Sequence, residues 1–242
     1  MQLEDVKINP ELDIAKLADT YAANGFVQIQ GFFAPETAER IEEALRGPLP
    51  WRFVYFETGQ RVVQLTQADI QALGQTGMQQ RMRTILQQAQ RNIGYCYHSL
   101  HLDTGKSSAV GTDHPLTILA QYLNSDAFLT LGSQIIAEAG LTRTDAQASL
   151  YRAGNFLTRH IDEGSRNERR AAYTLGFSRN WQTDWGGQLQ FVDQKTTDVT
   201  SAWIPRWNTL SLFDGRKVHA VSPVSAFAGD GRYSVVGWLR ND

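Results

Sequence analysis

Cysteine is nearly absent from this chain of 242 residues, whose only one is Cys96. A single cysteine excludes an intramolecular disulfide framework and a zinc site built from cysteine thiolates. An excess of one charge is also lacking, because 23 basic and 25 acidic side chains give a formal net charge of −2. Such a balance provides no general electrostatic attraction to nucleic acid, so we predict no nucleic-acid partner.

Long hydrophobic runs are missing as well. No apolar stretch approaches the roughly 20 residues that a membrane-spanning helix needs. The first residues, Met1 to Asp5, lack the basic and then apolar pattern of a secretory signal. We therefore expect a soluble, cytoplasmic protein without a membrane partner.

The first 145 residues predict helices with a few short strands. Apolar residues at helical spacing indicate helices, and alternation of apolar and polar residues indicates strands. Helices are predicted over 12–24, 36–46 and 75–90, one or two more over 116–139, and strands over 26–30, 51–56 and 61–65. The last two strands flank a predicted turn at Thr58 and Gly59, and 103–113 is predicted as a loop.

From residue 146 the pattern changes to short alternating runs, separated by glycines and polar turns. Strands are predicted over 149–160, 171–177, 187–192, 209–213, 218–224 and 233–239. Strands at this spacing are typical of a sandwich or barrel. We interpret residues 1–242 as one domain, mainly β with supporting helices (α+β). In this interpretation the helix-rich segment 1–145 supports a β core formed by 146–242.

His160 and Asp162 form the pattern that says most about function. Residues i and i+2 of a β-strand point to the same face, so an H-x-D tripeptide directs an imidazole and a carboxylate to one point. His219, on a distant predicted strand, adds a second imidazole. Two histidines and one carboxylate form a facial triad that leaves coordination positions open. With Fe(II), this is the site of non-heme oxygenases.

A second H-x-D tripeptide, His101-Leu102-Asp103, competes for the same role. His160 follows His101 by 59 residues, and His219 follows His160 by the same distance, so spacing does not choose between them. An R-x-S motif, Arg232-Tyr233-Ser234, follows His219, whereas none follows His160 at that distance. We therefore favour the set around His160 as the metal ligands. The other histidines are expected to pack, hydrogen bond or lie in a surface turn: His98, His101 and His114.

The motifs from Tyr151 to Trp238 together resemble the prolyl-hydroxylase-like branch of the 2-oxoglutarate and Fe(II)-dependent dioxygenases. The matching segments are Tyr151-Arg152-Ala153-Gly154, His160-Ile161-Asp162, Trp185-Gly186-Gly187-Gln188-Leu189, His219-Ala220-Val221-Ser222-Pro223-Val224 and Arg232-Tyr233-Ser234-Val235-Val236-Gly237-Trp238. The resemblance implies a double-stranded β-helix core of the jelly-roll, cupin-like kind with a helical N-terminal buttress. It also implies that the iron ligands are His160, Asp162 and His219.

The resemblance further implies how the co-substrate is held. Arg232 matches the basic residue that pairs with the distal carboxylate of 2-oxoglutarate, a role that suits the bidentate guanidinium fork. Ser234 is implied as a hydroxyl donor to that carboxylate, and Tyr151 as a wall of the pocket. Arg216 and Arg240 are alternative anchors, because the segment before Arg232 is longer than in many relatives.

The activity implied is that of an Fe(II)- and 2-oxoglutarate-dependent dioxygenase. Such an enzyme uses O2, releases succinate and CO2, and hydroxylates an unactivated C–H bond; ascorbate is a candidate reductant. Asp162 favours hydroxylation, since halogenating relatives lack this carboxylate. The first substrate hypothesis is a prolyl residue in a protein, and the second is a free amino acid or small metabolite. We expect 163–170, 193–202 and the region around Arg61 to frame the entrance.

Two further hypotheses assign the chain a function other than hydroxylation of a protein or a small molecule. A nucleic-acid demethylase is disfavoured, because Trp238 stands where such relatives carry a second arginine. A non-catalytic jelly-roll binding module is the alternative from outside the enzymes.

Overall fold

A computed structural model of the chain describes residues 1–57, 61–91, 94–105, 107–162, 164 and 166–242. Within these residues there are five α-helices, two short 3-10 helices and thirteen strands. The helices are α1 (Ile14–Asn24), α2 (Pro35–Arg46), α3 (Gln67–Ala89), α4 (Pro115–Leu123) and α5 (Asp126–Ile136), with 3-10 helices at Leu3–Asp5 and Thr183–Trp185. The strands are β1 (Phe26–Gln30), β2 (Arg52–Glu57), β3 (Arg61–Leu65), β4 (Tyr95–His101), β5 (Arg143–Thr144), β6 (Gln147–Tyr151), β7 (Phe156–His160), β8 (Arg169–Gly176), β9 (Leu189–Val192), β10 (Val199–Trp203), β11 (Thr209–Phe213), β12 (His219–Val221) and β13 (Arg232–Arg240).

The strands pair antiparallel in the order β1-β11-β8-β13-β6-β4-β7-β12-β9-β10. The hairpin of β2 and β3 joins through β4, and β5 joins through β13. A cavity of about 500 Å³ is lined by residues of this sheet, among them residues of β6, β8 and β13 and residues of β7, β9 and β12. The prediction of a mainly β core with supporting helices is confirmed.

Side chains alternate along β8 and β13, so that one face of these strands packs against the helices and the other face lines the cavity. Tyr173 and Val235 belong to the main hydrophobic core, where the Tyr173 ring lies 6.1 Å from the ring of Phe128 in α5. Thr174 and Arg232, which alternate with them, line the cavity. Because neighbouring side chains on a strand point to opposite faces, the apolar set packs under the helices and the polar set reaches the cavity.

Helix α3 begins at Gln67 rather than at residue 75, where the sequence predicted its start. Its first turn is closed by a capping box, in which the Thr66 hydroxyl accepts from the Asp69 amide and the Asp69 carboxylate accepts from the Thr66 amide. Gly74, with φ 62°, then interrupts the helical backbone. The periodic pattern therefore marked only the second helical segment. This helix packs on the β2–β3 hairpin in a second, smaller core.

Several predicted elements were wrong in extent or missing. The run 149–160 is two strands, β6 and β7, separated by a turn in which Gly154 has φ 80°. The stretch 116–139, predicted as one or two helices, forms two, which agrees with the prediction, and Ser125 caps the second. Strand β4 was not predicted, because polar side chains on both of its faces hide the alternation. Strand β10 was not predicted and overlaps the segment 193–202, which was expected to frame the entrance.

Three predictions lie partly or wholly outside the described residues. The turn at Thr58 and Gly59 lies wholly outside them, as do Lys106 of the predicted loop 103–113 and residues 163 and 165 of the expected entrance segment 163–170. Among the helices that the structure describes, none is both long and apolar enough to cross a bilayer.

Candidate active site

The register of β7 and β12 brings three side chains together. His160 ends β7 and His219 begins β12, where the two are cross-strand partners with ring centroids 4.1 Å apart. Asp162 follows two residues after His160, and its amide donates to the Gly215 carbonyl at 2.8 Å. One Asp162 oxygen lies 3.5 Å from His160 Nε2 and the other 3.3 Å from His219 Nε2. The three donor atoms therefore converge, all within 4.8 Å of one another.

Backbone carbonyls determine which nitrogen of each imidazole faces the site. His160 Nδ1 lies 3.0 Å from the Thr158 carbonyl, and His219 Nδ1 lies 2.9 Å from the Lys217 carbonyl. A carbonyl can only accept a hydrogen bond, so both Nδ1 atoms carry a proton. Both Nε2 atoms are then free to act as ligands, as in metal sites whose histidines are oriented by a second partner.

Charge at the triad also fits a bound cation. Burial raises the pKa of the Asp162 carboxyl, but hydrogen bonds with His160 and His219 outweigh it and hold that pKa below its ordinary value. Burial lowers the pKa of His160, yet its contact with Asp162 raises it overall. The carboxylate is therefore ionised. A metal ion bound here would replace the Nε2 protons that make these hydrogen bonds, because a metal-ligating imidazole nitrogen must be deprotonated.

Arg232 is the second notable group in the cavity, because its charge is buried without a counterion. The residue is 4% exposed, and its guanidinium lies 5.1 Å from the centroid of the Tyr151 ring. Its Nη1 donates to the Ser234 hydroxyl at 3.2 Å, while its buried Nε has no hydrogen-bond partner among the residues that the structure describes. Burial lowers the pKa of the guanidinium, although arginine stays protonated in proteins. Within the described residues no carboxylate pairs with it, so an anionic ligand would supply what is missing.

The two alternative anchors are placed differently. Arg216 is exposed and forms an ion pair with Asp214 at 2.7 Å. Arg240 pairs with Asp145 at 2.7 Å and with Asp242 at 2.9 Å. Neither lines the cavity that contains the triad. The geometry therefore favours Arg232 as the anion-binding group.

Tyr151 forms a flat wall beside that guanidinium. It is the cross-strand partner of Arg232, and its ring stacks on Tyr97 at 4.8 Å between centroids. Burial raises the pKa of its hydroxyl well above the ordinary value, so the side chain is neutral. The interpretation of Tyr151 as a pocket wall agrees with this position.

The competing H-x-D tripeptide does not assemble a comparable site. His101 Nε2 lies 3.2 Å from Asp103, but the His101 side chain is 68% exposed. In the part of the chain that the structure describes, the His160 set is the only group of three such residues that could hold a metal ion. His114 caps α4 by accepting the Leu116 amide at 3.2 Å. These histidines have local hydrogen-bonding roles.

Sequence reasoning missed several cavity residues. Arg169 lies over the Trp238 ring, with its guanidinium carbon 3.7 Å from the ring centroid, and both side chains line the cavity. Ser149, Thr174 and Gln147 line it as well. Counting back in steps of two from Tyr151 would have found Ser149 and Gln147, because alternate residues share a face.

The predicted entrance was right only in part. Val62, next to Arg61, lines the cavity, and so does Arg169 from the expected segment 163–170. No residue of 193–202 lines it. Gly186 and Gly187, which precede β9, have φ values of 67° and 63°, a left-handed conformation that glycine adopts without steric strain.

Comparisons with known proteins place this geometry in context. Residues 146–240 match the family model of the 2OG-Fe(II) oxygenase superfamily. No curated protein matches the chain. A 2OG-Fe(II) oxygenase family oxidoreductase from Burkholderia pseudomallei is similar in structure, with a TM-score of 0.62 and 16% identity over 98% of this chain and 94% of that one.

Two prolyl hydroxylases are also similar in structure. That of Pseudomonas putida, a prolyl-4-hydroxylase, has a TM-score of 0.57 and 20% identity over 95% of this chain and 99% of that one. That of Trichoplax adhaerens, in complex with a hypoxia inducible factor peptide fragment, has a TM-score of 0.62 and 16% identity over 93% and 87%. These likenesses confirm the jelly-roll fold and the resemblance to 2OG-Fe(II) oxygenases.

Proposed function

We propose that this chain is an Fe(II)- and 2-oxoglutarate-dependent dioxygenase that hydroxylates an unactivated C–H bond, and that its substrate is a prolyl residue in a protein. One observation carries the proposal. A convergent triad of two histidines and an aspartate shares a cavity of about 500 Å³ with a buried arginine that no described carboxylate neutralises.

Each group has a defined part in this proposal. His160, Asp162 and His219 would hold Fe(II), which with 2-oxoglutarate and O2 supplies the oxidising power for hydroxylation and the release of succinate and CO2. Arg232 binds the distal carboxylate of the 2-oxo acid, and the Tyr151 ring keeps water from that ion pair. The surrounding apolar core lowers the local dielectric constant and so strengthens the charge pairing.

The substrate subsite of this proposal is formed by Arg169 and Trp238, which line the same cavity. Among the described residues, neither the buried Nε atom of Arg169 nor the buried indole nitrogen of Trp238 has a hydrogen-bond partner, and both are donors. An acceptor on the substrate, such as a peptide carbonyl, would satisfy them. Ile161 and Val62 add exposed apolar surface, 45% and 52% exposed, near the metal ligands and the cavity. The prolyl-hydroxylase neighbours support the same substrate class.

A free amino acid or small carboxylic acid is the second candidate. The observation that favours it is again Arg169, for which no described carboxylate is an ion-pair partner. A guanidinium in this state suits a substrate carboxylate as well as a carbonyl. Ascorbate as reductant stays a prediction, which turnover with and without it tests.

Turnover measurements test the proposal. Purified protein with Fe(II), O2 and 2-oxoglutarate should form succinate, and a proline-containing peptide should gain one oxygen atom by mass spectrometry. Arg169→Gln separates the two substrate classes, since glutamine keeps a donor but loses the charge. With a peptide we expect kcat/KM to fall less than about tenfold, and with a free acid about 100-fold. No succinate under any iron-loaded condition would leave the non-catalytic binding module as the better account.

A further inference from the structure

Gln147 of β6 lies beside the subsite at Arg169 and Trp238. It is half-buried and lines the same cavity. Its cross-strand partner on β13 is Val236, and Trp238 follows two residues later on the same face of that strand. Diagonal neighbours of this kind lie roughly 7–8 Å apart, within reach of long side chains. One ligand can therefore contact both the Gln147 amide and the Trp238 indole.

A hydrogen bond with Tyr97 orients the Gln147 amide. Gln147 Nε2 donates to the Tyr97 hydroxyl at 3.4 Å. The Tyr97 ring is itself held in place, because it stacks on Tyr151 at 4.8 Å and contacts Tyr95 at 5.6 Å between centroids. With Nε2 engaged in this way, the carbonyl oxygen Oε1 of Gln147 points away from the Tyr97 hydroxyl. Within the described residues no group donates a hydrogen bond to this oxygen.

The hydrogen-bonding groups around Gln147 do not match one another. Arg169 Nε and Trp238 Nε1 are donors, and no described residue accepts from either. Burial raises the pKa of the Tyr97 hydroxyl, which therefore keeps its proton as a further donor. Gln147 Oε1 is instead an acceptor. A ligand that satisfies all of them needs an N–H as well as a carbonyl oxygen, and a carboxylate has no N–H.

A secondary amide carries both groups. In a peptide the two amides that flank a prolyl residue differ, because proline has no N–H. The amide before proline offers only a carbonyl, whereas the amide after it offers a carbonyl and the N–H of the next residue. In a trans amide these two groups point in opposite directions. This suits a site with Gln147 on β6 and Arg169 on β8, since β13 lies between these strands.

We propose that Gln147 Oε1 accepts the backbone N–H of the residue that follows the target proline, and that this contact selects peptide amides over acids and esters. The inference rests on the proposed function and specifies how its substrate is recognised. The carbonyl of the same amide accepts from the donors at Arg169 and Trp238. Tyr97 is a positioning residue, because it acts through the Gln147 amide that it holds.

Exchange of one amide for an ester tests this contact. The two probes are acetyl-Ala-Ala-Pro-Ala-Ala-amide and its analogue with an ester oxygen in place of the N–H after proline. Anaerobic calorimetry on protein loaded with Mn(II) and 2-oxoglutarate would measure the Kd of each. In wild type the ester should bind at least about tenfold more weakly, because it leaves the Gln147 acceptor without a donor.

The change in this ratio between variants is the decisive quantity, since an ester carbonyl is also a poorer acceptor than an amide carbonyl. Gln147→Met keeps the length of the side chain and loses the acceptor, so the ratio should fall about fivefold. A purely structural role of Gln147 would weaken the binding of both probes equally and leave the ratio unchanged. The Kd of 2-oxoglutarate should stay within about twofold of wild type.

Gln121→Met provides a matched control. Gln121 of α4 donates to the Thr104 carbonyl at 3.0 Å and does not line the cavity, so its substitution should leave the ratio unchanged. Tyr97→Phe removes the hydroxyl that orients the Gln147 amide and should lower the ratio part of the way. Added to Gln147→Met, it should lower the ratio no further, because the two residues act as one unit.

The outcomes separate this inference from the proposed function. Metal-loaded wild type that does not bind 2-oxoglutarate would contradict the proposed function itself. Wild type that binds 2-oxoglutarate but neither probe would exclude the peptide as substrate, and this inference with it. Tighter binding of acetyl-proline in that case would favour the free acid. Peptide binding with a ratio that Gln147→Met leaves unchanged would overturn the role of Gln147 alone.

Discussion

The two H-x-D tripeptides of this chain have the same local geometry but different surroundings. In each, an imidazole nitrogen lies close to the aspartate, at 3.2 Å for His101 and Asp103 and 3.5 Å for His160 and Asp162. The His101 side chain is 68% exposed, whereas the His160 side chain is 16% exposed and lines a cavity. Only the second pair has another imidazole opposite it, within the part of the chain that the structure describes.

The difference teaches that pairing register, rather than the tripeptide, assembles the candidate metal site. His219 meets His160 because β12 pairs with β7 in one register, and a slip of one residue would turn it to the other face. Backbone carbonyls then orient both rings. His101 is the last residue of β4. Its cross-strand partner on β6 is Gln147, which provides no second imidazole.

The largest expected effect separates the two aspartates. Asp162→Ala should lower the affinity for Fe(II) by at least about 100-fold, because it removes the charged ligand of the triad. Asp103→Ala should leave that affinity within about twofold, since it changes only a surface contact. Anaerobic equilibrium dialysis measures both. Equal losses of Fe(II) affinity in the two variants would contradict the assignment of Asp162, rather than Asp103, as a metal ligand.

A second test concerns the buried guanidinium of Arg232. Arg232→Ala should raise the Kd of 2-oxoglutarate about 100-fold, because two charge-assisted hydrogen bonds are lost, while Fe(II) affinity stays nearly unchanged. Arg240→Ala is the comparison on the same strand. It should lower the unfolding temperature by breaking the ion pairs with Asp145 and Asp242, and leave the Kd alone. A similar rise in Kd for both variants would remove the special role of Arg232.

The smallest expected effect concerns the backbone behind each aspartate. A Cβ added at Gly215 would lie 3.2 Å from the Asp162 Cβ, whereas one added at Gly105, near Asp103, would meet nothing within 4 Å. Gly215→Ala should therefore displace the Asp162 carboxylate slightly and weaken Fe(II) binding about tenfold, as changes behind a metal ligand do. Gly105→Ala should leave the Fe(II) affinity measured by dialysis unchanged. Unchanged binding in Gly215→Ala would show that Asp162 adjusts freely.

Some of the fold and site was predictable because it depends on local pattern. The alternation over 26–30 and 209–213 matches β1 and β11 residue for residue. The candidate metal ligands and Arg232 line one cavity, as their order in the sequence suggested. These predictions rest on period-two alternation and on motif order, both of which a single sequence contains.

The rest depends on pairing between distant strands, which alternation along one strand does not reveal. Ser149 becomes part of the site only because β6 pairs with β13 and sets it opposite Ser234. The Arg169 guanidinium lies over the Trp238 ring because β13 also pairs with β8. Strand β4 was missed for a different reason, since tyrosines on one face and His98 on the other give no clear apolar side.

The visible spectrum of wild-type protein tests the central claim most directly. If the triad holds Fe(II) while Arg232 anchors the 2-oxo acid in the same cavity, anaerobic addition of Fe(II) and 2-oxoglutarate should produce a weak metal-to-ligand charge-transfer band. The band should require both additions and be absent in Asp162→Ala. No band in wild type, or an unchanged band in Asp162→Ala, would contradict the account.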